Sequence, residues 1–143
     1  PFLIASSVNV VVAQRLARKV CHKCKTNYFL SPQEVDLVNA EPTLVSAIKK
    51  LSGKDDLHTI RFYRGAGNGC DVCHDTGYNG RLGIFEVMEV TDGLRALIAK
   101  KAPSDEITRY AVSEGMRTMF EDGILKMLKG MTTLEEVMRA IKS

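Results

Sequence analysis

The sequence predicts an α+β fold in which helix predominates, with a small module of short strands stapled by cysteines and then a C-terminal helical bundle. Three observations carry that prediction. Helix-start signatures precede apolar runs of helical period at several points along the chain. Aromatic residues make up only 6% of the 143 residues and Trp is absent, so Leu, Ile, Val and Met must supply the packing, which suits helices. All four cysteines fall in two Cys-x-x-Cys pairs, the second of them flanked by two strand-like runs. At 45% apolar and 26% charged, the composition is that of a globular chain long enough for one medium domain or two small ones.

The first element is predicted as a helix. With Ser6 or Ser7 as N-cap, Val8, Val11, Val12, Leu16 and Val20 recur at three- and four-residue spacings, and the basic residues gather toward the C-terminal end, where they suit the helix dipole. The opening PFLIASSVNVVVA is apolar, but neither a Met nor a basic segment precedes it, so it is not read as a signal peptide. It also falls far short of the roughly 20 residues that span a bilayer. A start at Pro1 without Met is read as a piece cut from something longer.

A second helix is expected from Ser31. Pro32 stands at the first helical position and Glu34 three residues after the cap, which is a capping box. Pro42 and Gly53 bracket a third, TLVSAIKKL. HTIRFYR, 58–64, has β-branched and aromatic residues in partial alternation and is predicted as a strand, leading through the glycine-rich GAGNG turn to the second cysteine pair. GRLGIFEVMEV, 80–90, is predicted as another strand.

The rest is predicted to be helical. TDGLRALIAKKAP stops at Pro103; Ser104 is expected to cap DEITRYAVSE, which ends at Gly115. FEDGILKMLKG ends at Gly130, with Gly123 weakening its interior. Thr132 with Glu135, or Thr133 with Glu136, supplies a capping box for the last helix, whose apolar residues are Leu134, Val137, Met138 and Ile141. Short helices with brief connections are expected to pack as a small bundle.

The cysteines carry the chemistry. Cys21 and Cys24 form one pair, Cys70 and Cys73 the other, and none is left over. A two-residue spacer lets a tight turn aim two sulfurs at one point while its N–H groups donate to them, and two such turns complete a closed tetrathiolate site for one structural Zn²⁺. The 45 residues between the pairs would then be an insertion closed by the metal, and the small module a zinc-stapled one. Four thiolates and one Zn²⁺ leave a doubly negative site, which Lys19, Lys23, Lys25 and Arg81 are placed in sequence to offset. His22 and His74 are read as bystanders.

Four rival readings of the cysteines exist. Cys70, Cys73 and His74 spell the Cys-x-x-Cys-His of c-type haem attachment, but that leaves Cys21 and Cys24 unexplained. Structural disulfides within Cys-x-x-Cys are strained. Thioredoxin-like chemistry wants a βαβ unit, which the pattern lacks. The eight-cysteine zinc region of DnaJ-type chaperones has twice as many pairs. GAGNG is not followed by Gly-Lys-Ser/Thr or a helix start, so it is read as a flexible approach to the metal turn and not as a phosphate cradle. No Ser-His-Asp set, paired carboxylates or HExxH pattern stands out, and no catalytic residue is assigned. A net charge of +3 is too mild to argue for nucleic acid, although residues 1–25 carry Arg15, Arg18, Lys19, Lys23 and Lys25 with no acid.

Three blocks, PFLIASSVNVVVAQRLARKVCHKC, GCDVCHDTGYNGRLGIFEVMEV and MFEDGILKMLKGMTTLEEVMRAI, resemble in order the C-terminal third of the secretion traffic ATPases, the hexameric motors of type II secretion and type IV pilus assembly. The tetracysteine resembles that of the pilus-extension and type II branch, and is lacking in retraction motors. The resemblance implies a cytoplasmic ATPase, peripheral at the inner membrane, that works with neighbouring subunits of its hexamer on a polytopic platform protein. It implies ATP and Mg²⁺ only for the full-length parent, since the phosphate-binding loop, the acidic magnesium residues and the catalytic Glu all lie upstream of this segment in that family. Gln14 and Arg15 match the family's AQRL. Arg15 is thereby a nucleotide-phosphate candidate in the parent, with a packing or interface role as the alternative.

The expected organisation is therefore 1–20, a terminal helix of the ATPase core; 21–90, the tetracysteine zinc module with its helical insertion; and 91–143, a C-terminal helical subdomain. The segment itself is expected to be monomeric, to bind no nucleic acid and to have no ATPase site. The alternative is a self-standing zinc module that contacts protein or nucleic acid, with no motor attached.

Overall fold

A computed structural model describes residues 2–142. Its elements run α1 (Phe2–Ser7), β1 (Val10–Val20), β2 (Lys25–Tyr28), α2 (Pro32–Asn39), α3 (Pro42–Ser52), a 3₁₀ turn (Leu57–Thr59), β3 (Phe62–Gly65), β4 (Tyr78–Glu89), α4 (Asp92–Ala99), α5 (Ser104–Ser113), α6 (Met119–Leu128) and α7 (Leu134–Lys142). The class is α+β, as the sequence predicts. Two two-stranded sheets form, β1 with β4 and β2 with β3. None of these helices is long and apolar enough to cross a membrane.

The first element departs from expectation. The helix foreseen over the segment up to Val20 is instead α1 followed by the eleven-residue strand β1. Val8, Val10, Val11 and Val12 crowd β-branched side chains into five positions, which disfavours helix and favours strand. Contiguous valines satisfy a helical spacing by accident. Ser6 caps nothing; its hydroxyl donates back to the Leu3 carbonyl at 3.2 Å. Arg15, Arg18 and Lys19 therefore lie along a strand and do not line a helix end.

α2 starts as predicted: Ser31 Oγ accepts from Glu34 N at 3.2 Å, and Glu34 Oε2 accepts from Ser31 N at 2.7 Å. α3 starts at Pro42 and ends on Gly53, whose φ of 71° is the left-handed cap conformation. The strand expected from His58 is shorter, because Asp56 Oδ1 accepts from His58 N and draws Leu57–Thr59 into a 3₁₀ turn, leaving Phe62–Gly65 extended. At α5, Pro103 occupies the cap position and Ser104 is the first helical residue, so the predicted serine cap is displaced by one. Thr91 caps α4.

The chain forms two compact units that interleave in sequence: residues 1–14 with 85–119, and residues 15–84 with 120–143. The expected single C-terminal bundle is accordingly divided. α4 and α5 belong to the first unit, α7 and almost all of α6 to the second.

In the first unit Val90, Leu94 and Ala111 form the buried centre, with Met88, Leu97, Ile98, Ile107 and Met116 packed against it. Arg95 ties α1 to α4: its guanidinium donates to the carbonyls of Ala5 and Val8 and to Asn9 Oδ1. In the second unit Ile48, Ile84, Ile124 and Val137 are fully buried. Gly123 is explained there: a Cβ would lie 2.6 Å from Val137 Cγ1 and 3.4 Å from Ile84 Cδ1, so the helix interior lacks a side chain to let α7 and β4 close on it.

Candidate metal centre

The second unit brings the two cysteine pairs together through strand pairing. Cys21 directly follows β1, and its N–H donates to the Gly77 carbonyl at 2.9 Å. Cys24 directly precedes β2, which pairs antiparallel with β3 in the register Lys25↔Gly65 through Tyr28↔Phe62. The Ala66 N–H donates to the Cys24 carbonyl at 2.9 Å, extending that ladder to the first cysteine turn. The chain then has only Gly67, Asn68 and Gly69 in which to turn toward Cys70. Gly69 N–H donates to the Ala66 carbonyl at 2.8 Å, making GAGNG the approach to the second turn.

Two glycines are required by close backbone approach. A Cβ on Gly65 would collide with the backbone of Gly77, and one on Gly69, at φ 67°, with the backbone of Asp75. His74 and Asp75 themselves hold φ of 52° and 63°, a left-handed conformation uncommon for side-chain-bearing residues. It turns the chain so that the Asp75 N–H donates to the Cys70 carbonyl and the Thr76 N–H to the Cys73 carbonyl.

The result is four sulfurs around one point. Cys21 Sγ lies 3.7 Å from Cys70 Sγ, Cys24 Sγ 3.9 Å from Cys73 Sγ, and Cys70 Sγ 3.7 Å from Cys73 Sγ, with all four within 4.8 Å of one another. A tetrahedral ion bonded to sulfur at about 2.3 Å needs sulfurs about 3.8 Å apart, so the set fits Zn²⁺ closely. The cysteines are free thiols, not disulfides. Cys21 and Cys73 are buried and Cys24 and Cys70 half-buried. A divalent ion here would be held by Cys21, Cys24, Cys70 and Cys73 and would supply closure of the insertion, with no open coordination position for chemistry.

Backbone donors orient the sulfurs. Cys73 Sγ accepts N–H groups from Cys70 and Gly77, each at 3.2 Å. Burial raises the Cys73 thiol, but these amides and the Cys70 thiol outweigh it and bring it down to about 6. At Cys24 the Ala66 amide lowers the pKa, while burial and the three other thiols carry it up to about 11. Cys21 is lowered, chiefly by the Cys24 amide. Four thiols so close cannot all ionise without a counter-charge, and a divalent cation supplies one.

Of the cations expected to offset the site, Lys23 and Lys25 have partners other than the sulfurs. Lys23 Nζ contacts Asp71 Oδ1 at 2.6 Å, a link between the two turns that is largely solvent-exposed, and Lys25 Nζ donates to the Gly130 carbonyl at 3.2 Å. His22 and His74 are exposed. Arg15 lies exposed on β1, six residues before Cys21. Sequence reasoning missed the Gly77 and Ala66 amides, which no side-chain pattern announces.

It also missed a second polar centre in the same unit. Glu136 is 1% exposed, and each of its carboxylate oxygens accepts two donors: Oε1 from Arg18 N at 2.7 Å and Arg139 at 2.8 Å, Oε2 from Arg18 and Arg139 at 3.0 Å each. Arg139, then Arg18, hold its carboxyl down at about 2 against the opposing effect of burial. The capping box read at Thr133 and Glu136 is thus half right. Thr133 Oγ1 accepts from Glu136 N at 3.2 Å, but the carboxylate turns to the arginines instead of back to the cap. Thr132 Oγ1 donates to the Arg18 carbonyl, and the Arg18 guanidinium stacks 4.1 Å from the centre of the Tyr78 ring.

Residues 1–139 match the family model described as type II/IV secretion system protein. Similar proteins include the type IV pilus assembly ATPase PilB of Pseudomonas aeruginosa, 38% identical over 141 residues, which is 99% of this chain and 22% of that protein. PilB of Myxococcus xanthus is 39% identical over 137 residues, covering 96% of this chain and 22% of the relative. Type II secretion system protein E of Pseudomonas aeruginosa is 37% identical over 142 residues, covering 99% and 25%. The chain thus spans about a quarter, or somewhat less, of the length of these curated relatives. With nearly its whole length matched, the chain belongs to the type II/IV secretion system protein family.

Proposed function

We propose that this chain is the zinc-holding C-terminal part of a hexameric traffic ATPase that powers type IV pilus assembly or type II secretion. In this reading it belongs to the tetracysteine branch, and its work is structural and force-transmitting. The observation that carries the reading is the convergence of Cys21, Cys24, Cys70 and Cys73 at tetrahedral spacing, in a chain matched end to end by PilB-type ATPases and secretion protein E. Haem attachment would use Cys70, Cys73 and His74 alone and give Cys21 no reason to sit 3.7 Å from Cys70.

The full-length parent binds ATP and Mg²⁺ and hydrolyses ATP, in the cytoplasm at the inner membrane; this segment contributes no catalytic residue. Zinc closes the insertion between the cysteine pairs, making a rigid lever between the ATPase core and the inner-membrane platform protein or a neighbouring subunit. Arg15, on a strand and not on a helix, is a nucleotide-phosphate contact or an interface residue of that core. The segment by itself is a monomer and binds no nucleic acid.

Native mass spectrometry before and after acid denaturation tests the metal: one zinc per chain, lost on denaturation, is expected. A mass excess that survives denaturation and absorbs as haem would overturn it. The motor reading is tested in the full-length protein. There, Cys70→Ser is expected to leave ATP binding intact while uncoupling hydrolysis from secretion or pilus extension. Unchanged extension with the zinc gone would sink the lever.

A further inference from the structure

We propose that the tetrathiolate is a peroxide-responsive modification site, at which oxidation replaces the metal clasp by two disulfides formed across the pairs, Cys21–Cys70 and Cys24–Cys73. This rests on the metal reading above and adds to it a second, covalent state of the same closure.

The geometry supplies the entry; Cys70 is as near to Cys73 as to Cys21, 3.7 Å each, so the choice of the cross-pair bond rests on the strand pairing and on loop closure. Each turn carries one buried cysteine, Cys21 or Cys73, and one half-buried cysteine, Cys24 or Cys70. Oxidant therefore meets Cys24 and Cys70 first. Each of these has a buried cysteine of the opposite pair at hand, Cys21 at 3.7 Å from Cys70 and Cys73 at 3.9 Å from Cys24, so a single arrangement serves both. Bond formation needs each pair to close by about 1.7–1.9 Å, to a sulfur–sulfur distance near 2.05 Å.

The strand pairing resists any separation of the two turns. Ala66 N–H is bonded to the Cys24 carbonyl and Cys21 N–H to the Gly77 carbonyl, so the cross-pair sulfurs stay together when an ion leaves. Bridges within Cys70–Cys73 and Cys21–Cys24 would leave the insertion without a covalent clasp. Bridges across the pairs close loops of about fifty residues, which constrains the unfolded chain far more.

The chemistry balances with a hydroperoxide as the oxidant. The Cys70 thiolate attacks a peroxide oxygen, the O–O bond breaks, and a sulfenic acid forms with hydroxide leaving. The Cys21 thiolate then displaces hydroxide from that sulfur to make the disulfide. Cys24 and Cys73 repeat the sequence with a second peroxide. Two hydrogen peroxide molecules take four electrons from four thiolates, four protons from solvent complete four waters, and the divalent ion is released at unchanged oxidation state.

The test treats the zinc-loaded chain with hydrogen peroxide, follows zinc with a chromogenic chelator, and maps disulfides without reduction. Trypsin separates Cys21 from Cys24 by cutting after Lys23 but leaves Cys70 and Cys73 on one peptide, residues 65–81; a cut before Asp71 then separates those two. The expected result is full zinc release by about two equivalents of peroxide, with the 65–81 peptide joined to both first-pair peptides. The 21–73 segment should also keep its protease resistance when oxidised, and lose it when the metal is chelated under reducing conditions. Within-pair bridges, sulfinic acids in place of disulfides, or zinc retained under excess peroxide would each overturn the proposal while leaving the metal reading intact. A chain that binds no zinc yet forms the cross-pair bridges would overturn the metal reading and leave the pairing standing.

Discussion

Replacing Glu136 by Gln removes one acceptor oxygen from a carboxylate that is 1% exposed and accepts four hydrogen bonds, and sets an NH₂ against two arginine-derived donors. The size of the effect follows from the acid strength. A carboxyl held at about 2, against an ordinary 4.5, is favoured in its ionised form by about 3 kcal/mol in the folded chain, at 1.36 kcal/mol per pH unit. The side chains of Arg18 and Arg139 are 49% and 53% exposed, and water would re-solvate them on loss of their partner, which brings the expected cost to about 2 kcal/mol.

The sign with pH is fixed by the direction of the shift. A depressed carboxyl stabilises the fold fully above about 4.5, and that contribution is lost as pH falls through about 2. Urea unfolding of wild type and Glu136→Gln, both zinc-loaded, should therefore differ by about 2 kcal/mol at pH 7 and by about half of that at pH 3. Acid release of metal from thiolates lowers the stability of both proteins, so at each pH the two are compared in the same metal state. A gap below about 0.5 kcal/mol at pH 7, or one that stays constant down to pH 3, would refute the assignment of Glu136 as an ionised clamp.

Other perturbations address the remaining contacts. Chelating the metal from the reduced chain should lower amide-exchange protection at least about 100-fold in residues 15–84 and in α6 and α7, while α4 and α5 keep theirs; equal loss everywhere would contradict a metal that serves one unit. Gly123→Ala gains about 1 kcal/mol of helix propensity but drives a methyl into Val137, so a net loss of about 1–2 kcal/mol by thermal unfolding is expected, and stabilisation would show that α6 has room there. Arg95→Ala should cost about 1–2 kcal/mol, read as loss of exchange protection in α1 and α4, with zinc stoichiometry unchanged; a fall in bound zinc would mean that this strap serves both units.

The parts of this molecule legible in the sequence are those whose cause is local. Ser31, Pro32 and Glu34 announce α2 because a capping box is made within four residues, and the cysteine spacing announces its own turns for the same reason. The valines at 8, 10, 11 and 12 fit a helical spacing, but their β-branching favours strand from Val10 onward and β4 supplies the pairing partner. Glu136 shows where local reading stops. Its amide obeys the capping pattern with Thr133, yet its carboxylate is claimed by Arg18, 118 residues away in sequence. The interleaving of the two units is of the same kind, since it depends on which distant segments pair, and no window of residues records that.

The placement of the two polar centres accounts for how such short strands persist. An isolated pair of strands is marginal in water, and β2 and β3 have four residues each. Their ladder is terminated at one end by the cysteine turns, where Ala66 bonds back to Cys24, and beside it the end of β1 is held twice within four residues: Arg18 by Glu136 and Thr132, Cys21 by Gly77 and the sulfur cluster. Val20 N–H, between them, donates to the Met131 carbonyl. The stretch from Arg18 to Cys21 is thus fastened to the β4 side of the metal loop and to the segment entering α7. In a unit whose apolar core is divided among short elements, this strand end is fastened both to the cysteine turns and to the segment entering the last helix.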